Sequence, residues 1–259
     1  MKSYEELKET ADFICEYATL LMGSGVHTSR VTRNSVRLAE ALEVKAELTL
    51  FQTSIILTIK DKSGRLDYSE TINVPQLPVN FEINSDLSAL SWEAFDYHLT
   101  LSEVKEKYAR LIARPAINKW LVRILISLGN ASFCKLFGGN WIAMVMVFAA
   151  TFAGIILKQE MLHRKVNAYI TNIASAFAAS LIASATLLLD AVNAEVAIGT
   201  SILFLIPGVP LLNGIIDIVE GHTLTGFSRL TNALLLILCL SVGLSFTILL
   251  FRDYIQWIG

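Results

Sequence analysis

The sequence predicts a cytosolic α+β domain followed by an α-helical membrane domain of five transmembrane helices. Three observations predict it. Of 259 residues, 54% are hydrophobic and only 17% charged, with a mean hydropathy of +0.55, too apolar for an ordinary soluble chain. The charge is uneven, residues 1–115 holding 30 of the 44 charged side chains and residues 116–259 the other 14. The second stretch carries apolar runs of roughly 20 residues, the length a membrane crossing needs, without the alternation of barrel strands. A wholly soluble enzyme, a disordered chain and a secreted disulfide scaffold all fit poorly. The formal charge of −4 in the front and +2 in the back gives no nucleic-acid footprint. Cys15, Cys134 and Cys239 stand far apart, so no disulfide framework, zinc site or other metal site is expected. The polar, acidic start argues against a cleavable signal peptide.

In residues 1–115, positions 4–22 set Leu7, Ala11, Ile14, Ala18 and Leu21 on one helical face, and Gly23 and Gly25 end that helix. A second helix over 28–43 places Val31, Ser35, Leu38, Ala39 and Leu42 on one side, with Thr28 as its N-cap. Strands are expected at 47–51, 54–60 and 65–73, with Asp61-Lys62-Ser63-Gly64 as a turn. Pro75 and Pro78 mark a loop, and helices resume at 86–97 and at 102–113, the latter capped by Ser102. The MGSGVHTSRV corner has two readings. In one, His27 is a base for Ser24, Thr28 or Ser29, and the protein is a membrane-anchored hydrolase. In the other it is a helix–helix corner. Neighbours in sequence rarely reach each other as base and nucleophile, and no acid partner stands out, so no catalytic residue is assigned. Arg30, Arg33 and Arg37 form a stripe that suits an anionic group or a solvated helix face.

In residues 116–259, spans are expected at about 119–137, 140–157, 167–189, 196–220 and 229–251. The first is the poorest, with eleven uncharged residues between Arg123 and Lys135; its alternative is a re-entrant segment, which would leave four spans and turn the front domain outside. Arg110, Arg114, Lys119, Arg123, Lys158, Arg164, Lys165 and Arg229 flank one side, against Lys135 and Arg252 on the other. The positive-inside rule then puts the N-terminal domain in the cytoplasm and the C-terminus outside. Trp120, Trp141, Tyr169, Tyr254 and Trp257 fall at helix ends, where amphipathic rings prefer to sit. Thr171, Asn172, Ser175, Ser180, Ser184 and Thr186 make the third span polar, for close packing or a polar path.

The fourth span contains IPGVPLLNGIID, Ile206 to Asp217. Pro207, Gly208 and Pro210 interrupt the helix near mid-membrane. Such breaks line cavities or pack within protein, and they can present free amides to an anion. Asn213 and Asp217 lie on one face of the half-helix that follows, so these five residues are candidates for a substrate path. A packing kink is the alternative. Arg229 is a candidate partner for Asp217 or Glu220, or a positive-inside anchor.

Three pieces, GSGVHTSRV (23–31), LFGGNW (136–141) and PGVPLLNGIIDIVEGHTLTGFSR (207–229), resemble the N-terminal module of the threonine/serine exporter (ThrE) family. The resemblance covers nearly the whole chain. It implies a cytosolic α/β domain, five membrane helices and a second five-helix module, fused or separate. Ending after the fifth helix, the chain is similar to the split two-component form, whose members are linked to succinate export. The function implied is a subunit of a secondary exporter of small carboxylates, threonine/serine or a dicarboxylate, in the cell inner membrane. The runners-up are the hydrolase above and a non-transporting structural or regulatory subunit. No Walker loop appears and no cofactor is expected. An oligomer is expected, because five helices alone rarely enclose a gated path.

Overall fold

The computed structural model describes residues 3–62, 64, 67–115, 117–189 and 193–252. Along the chain, α1 (Tyr4–Gly23) and α2 (Thr28–Ala41) are followed by strands β1 (Val44–Phe51), β2 (Ser54–Asp61) and β3 (Asp67–Asn73). Next come α3 (Phe81–Asp96), α4 (Leu101–Ile112), α5 (Lys119–Leu136), α6 (Trp141–His163) and α7 (Ala168–Ala183). A 3-10 turn at Ser184–Leu188 leads to α8 (Ala194–Ser201) and a second at Leu203–Leu205 to α9 (Gly208–Val219) and α10 (Thr223–Leu250). Two compact units result: Met1–Pro115 with Gly208–Thr231, and Ala116–Pro207 with Asn232–Gly259.

This corrects the expected fold class. Helices dominate throughout, with one small three-stranded sheet, and the unit that holds the sheet also contains α9 and the start of α10. Among the described residues, three helices are long and apolar enough to cross a membrane: Trp141–His163, Ala168–Leu188 and Thr223–Leu250. A fourth crossing exists only if the broken pair Ala194–Leu205 and Gly208–Val219 is counted as one. The expected first span is the helix α5, but Lys119, Arg123 and Lys135 leave it too polar to qualify. The expected fourth span fails as one rod because Pro207 and Pro210 remove amide donors.

In the sheet-bearing unit, α1 starts with a capping box between Ser3 and Glu6 and buries Leu7, Ala11, Ile14, Ala18 and Leu21 completely. The strands form an antiparallel meander in the order β1-β2-β3, with Leu48 opposite Leu57 and Ile55 opposite Ile72. Val44, Ala46 and Leu50 alternate with exposed residues, and Ile55, Leu57 and Ile59 complete the same apolar face against α1 and α2. The Tyr17 hydroxyl donates to the Leu87 carbonyl at 2.8 Å, fixing α1 to α3. Several ends differ from the sequence reading. β1 starts at Val44, α3 starts at Phe81 because Asn80 caps Ile83, and α4 is capped by Thr100 with Glu103 rather than by Ser102. Ser63 and residues 65–66 of the expected turn and strand lie outside the described residues, as do residues 190–192, Tyr254 and Trp257.

In the second unit, small residues let the helices close on one another. A Cβ at Gly154 would stand 3.1 Å from the Ala179 Cβ, and one at Gly243 would stand 2.5 Å from the Ile173 carbonyl oxygen. Ser180 and Thr247 share a hydroxyl hydrogen bond of 2.7 Å between α7 and α10, and Asn130 donates to Thr151 at 3.1 Å between α5 and α6.

Candidate functional site

The site is built where α2 begins. After α1, Gly25 takes a positive φ of 95°, which turns the chain and leaves the Gly25 and Val26 carbonyls without helical partners. His27 occupies the N-cap position but its side chain makes no capping hydrogen bond. Thr28, expected as the cap, is instead the first helical residue. Its amide is one of the orphan donors of a helix start.

The helical hairpin of α9 and α10 supplies the missing partners. Thr28 donates its amide to Asp217 Oδ1 at 2.7 Å and its hydroxyl to Asp217 Oδ2 at 2.9 Å. Asn213, one turn earlier on α9, donates to the Gly25 carbonyl at 2.8 Å. Arg229 donates to the Val26 carbonyl at 3.2 Å, and its other terminal nitrogen lies 3.2 Å from Asp217 Oδ2. Asp217 is fully buried, and the Arg229 side chain is 9% exposed. The carboxylate therefore sits at the positive end of α2 and beside a guanidinium, two favourable terms for a charge removed from water.

The hairpin is tight for a reason visible in its glycines. A Cβ on Gly226 would lie 2.6 Å from the Gly214 carbonyl oxygen, so the two helices touch backbone to backbone. Gly221, at φ 90°, makes the turn, and the His222 amide closes it on the Asp217 carbonyl at 2.7 Å. Further on, Thr225 donates to the Leu50 carbonyl at 2.7 Å and Ser228 to Gln52 Oε1 at 2.6 Å, tying the start of α10 to the end of β1.

The structure thus brings Asn213, Asp217 and Arg229 together around one backbone corner, and Arg229 pairs with Asp217 rather than with Glu220. Glu220 faces His27 instead, with its Oε2 3.2 Å from the imidazole Nδ1. Burial pushes the His27 pKa below its ordinary value, while Glu220 and then Asp217 pull the other way. Glu220 is held below the usual carboxylate range, first by the Ser29 hydroxyl and also by His27 and Arg33. Pro207, Gly208 and Pro210 stand outside the cluster and shape the start of α9. Ile206 is extended, as a residue before proline prefers, α9 begins at Gly208, and Pro210 falls in the first turn, where a missing amide costs little.

The hydrolase geometry is not assembled among the described residues. Ser24 donates to the Leu20 carbonyl at 2.6 Å and pairs with Asn84, Thr28 donates to Asp217, and none of these hydroxyls bonds to His27. In the arginine stripe, Arg30 donates to Ser88 at 3.0 Å, while Arg37 donates to Ser91 at 2.9 Å and stacks over Trp92, so both serve the packing of α2 on α3. Arg33 remains exposed. The bonds of Thr28 to Asp217 and of Asn213 to Gly25 join residues nearly 190 positions apart, and no spacing in the sequence announces them.

Three helices long and apolar enough to cross a membrane make this a helical membrane protein. The chain belongs to the threonine/serine exporter family, ThrE, whose sequence profile matches residues 12–251. It is 29% identical over 247 residues to the probable succinate transporter subunit YjjP of Escherichia coli K12, covering 92% of this chain and 93% of that one. The protein of the same name from Klebsiella aerogenes is 28% identical over 229 residues, or 87% and 88% of the two chains. A probable threonine/serine exporter of Mycobacterium tuberculosis is 23% identical over 92% of this chain, which spans 45% of that protein. No solved structure matches significantly.

Proposed function

We propose that this chain is a subunit of a gradient-driven exporter of small carboxylates, either threonine and serine or a dicarboxylate such as succinate, in the cell inner membrane. The observation that carries the reading is Asp217: a fully buried acid, on the helix that follows a proline break, shared between Arg229 and the first residue of α2. A proton on Asp217 cancels its attraction to Arg229 and weakens its hold on the Thr28 amide and hydroxyl. Among the described residues the hairpin of α9 and α10 then keeps the Asn213–Gly25 and Arg229–Val26 bonds to the corner and the Thr225 and Ser228 bonds to the end of β1. Coupling a proton to a structural latch of this kind is a recognised way to bias a two-state element. Under this reading Pro207, Gly208 and Pro210 free the start of α9, and release of Asn213 and Asp217 from the corner would turn them toward a substrate path.

Residues 1–115 are placed in the cytoplasm and the C-terminus outside, an arrangement that needs an odd number of crossings, as the three helices Trp141–His163, Ala168–Leu188 and Thr223–Leu250 provide. The YjjP relatives are named as subunits, which supports assembly with a second membrane subunit and with further copies of this chain. Asp217→Asn tests the reading. Cells loaded with succinate or threonine are expected to lose export while the variant stays in the membrane fraction. Unchanged release would remove Asp217 from the mechanism.

A further inference from the structure

Lys105, Lys107, Arg110, Arg114 and Arg164 each pair with a carboxylate. Arg123 on α5 meets an amide instead. Its Nε donates to Gln159 Oε1 on α6 at 2.8 Å, and its guanidinium carbon lies over the Trp120 ring, 4.6 Å from the centroid. These contacts fix the group from two sides and leave its charge uncancelled. Neither terminal nitrogen has an acceptor among the described residues. The residue is half-buried, so a positive charge is partly withdrawn from water without a counter-ion. A guanidinium held in this way keeps two N–H groups in one plane, the geometry that matches two oxygens of a phosphate.

The contact sits at one end of a helix pair. α5 packs antiparallel to α6: Asn130 donates to Thr151, and Arg123 to Gln159 nearer the end of α6. α6 is long and apolar enough to cross a membrane, and Gln159 lies in its last turns before His163. Lys119 opens α5 one turn before Arg123, on the same face. Arg164 and Lys165 follow α6 directly, so this end is basic, and its acid Glu160 is paired with Arg164. The Trp120 ring is 57% exposed, as suits an amphipathic side chain at headgroup depth. Beyond it the outward face of α5 carries Leu121, Leu125 and Leu128, each about half exposed. A soluble anion needs only the basic end. An apolar stripe running on from that end suits a ligand with a negative headgroup and hydrocarbon in one molecule.

We infer that Arg123, with Lys119 beside it, holds the phosphate of an anionic phospholipid at this end of α5 and α6, with the acyl chains along Leu121, Leu125 and Leu128. A zwitterionic lipid offers the same phosphate but brings a cation to a basic end, so it is the poorer ligand. Basic pockets between membrane helices bind anionic headgroups in this manner. The site goes beyond the exporter reading and does not depend on it.

The test uses the full-length protein in mild detergent, titrated separately with phosphatidylglycerol, phosphatidylcholine and inorganic phosphate. Native mass spectrometry reads the lipid retained, and the melting temperature reads stabilisation by any of the three. Phosphatidylglycerol is expected to bind about tenfold or more tightly than phosphatidylcholine and to raise the melting temperature. Arg123→Gln is expected to weaken phosphatidylglycerol binding about 10- to 100-fold, the effect of losing charge-assisted hydrogen bonds. Gln159→Glu supplies the missing carboxylate. It should lose the preference for the anionic lipid while the ligand-free melting temperature holds or rises, so it decides the question even where Arg123→Gln folds poorly. Lys135 sits over Trp141 at the other end of α5, 5.5 Å from the ring centroid, and Lys135→Gln should leave the preference intact. Equal binding of the two lipids, wild-type affinity in Arg123→Gln or Gln159→Glu, or an equal loss in Lys135→Gln would each overturn the site. Stabilisation by inorganic phosphate as large as that by phosphatidylglycerol would overturn it too, because the ligand would then be a soluble anion.

Discussion

The pair of Asp217 and Arg229 allows a quantitative check of how the latch is held. Asp217→Asn removes the negative charge and leaves a guanidinium that is 9% exposed without its counter-ion. Asn can still accept one bond from Thr28, but its amide end then faces donors. Breaking one side of a buried pair costs about 3–5 kcal/mol. For a chain of this size that corresponds to a fall of roughly 6–20 °C in melting temperature. Arg229→Met leaves the carboxylate with the two Thr28 donors and the positive end of α2, so it is expected to cost less than Asp217→Asn. The double variant removes both charges at once. Its loss should be smaller than the sum of the single losses by about 2–3 kcal/mol, the size of coupling expected between contacting charges. Thermal unfolding of all four proteins in one detergent, at one pH and salt concentration, measures the cycle. Additive losses, within about 0.5 kcal/mol, would refute the claim that these two side chains hold the hairpin as a unit.

Two further perturbations reach the same corner from other sides. Gly25→Ala puts a side chain at φ 95° and a Cβ 3.0 Å from Val79, so it should destabilise by about 1–2 kcal/mol and loosen the Asn213 bond, as read by melting temperature. Acidification should act through His27, whose pKa burial lowers from an ordinary value of 6.5. The unfolded chain takes up a proton near that ordinary value and the folded chain resists it. Stability contributed by this group is therefore present above pH 6.5 and declines as pH falls below it. His27→Gln should flatten that decline in a series of melting curves, and parallel curves for the two proteins would count against it.

Local order was well written in the chain. The apolar stripe of α1 and the alternation of β2 follow from their periods, and they are the faces that the core buries. The break after Leu205 was legible because proline leaves the backbone no alternative. Other features were hidden for physical reasons. The run 196–220 averages to a hydrophobic span, although it divides at Pro207 and its second half packs with α2. Averaged hydropathy does not register which face of α9 carries Asn213 and Asp217, or that a distant corner receives them.

Two of the three pieces that carry the family resemblance each look defective alone. The GSGVHTSRV corner turns out two carbonyls and a helix-start amide that nothing local satisfies. The stretch from Pro207 to Arg229 sets an amide, an acid and a base among leucines and isoleucines, where each would be costly uncompensated. Three of their polar groups match across the junction, Asn213 to Gly25, Arg229 to Val26 and Asp217 to Thr28, and Asp217 also pairs with Arg229 within the second piece. Two segments that are unfavourable apart and satisfied together form a cooperative junction. Changing a single charge in such a junction exposes the desolvation cost of the others, so the junction is expected to be lost as a unit rather than bond by bond.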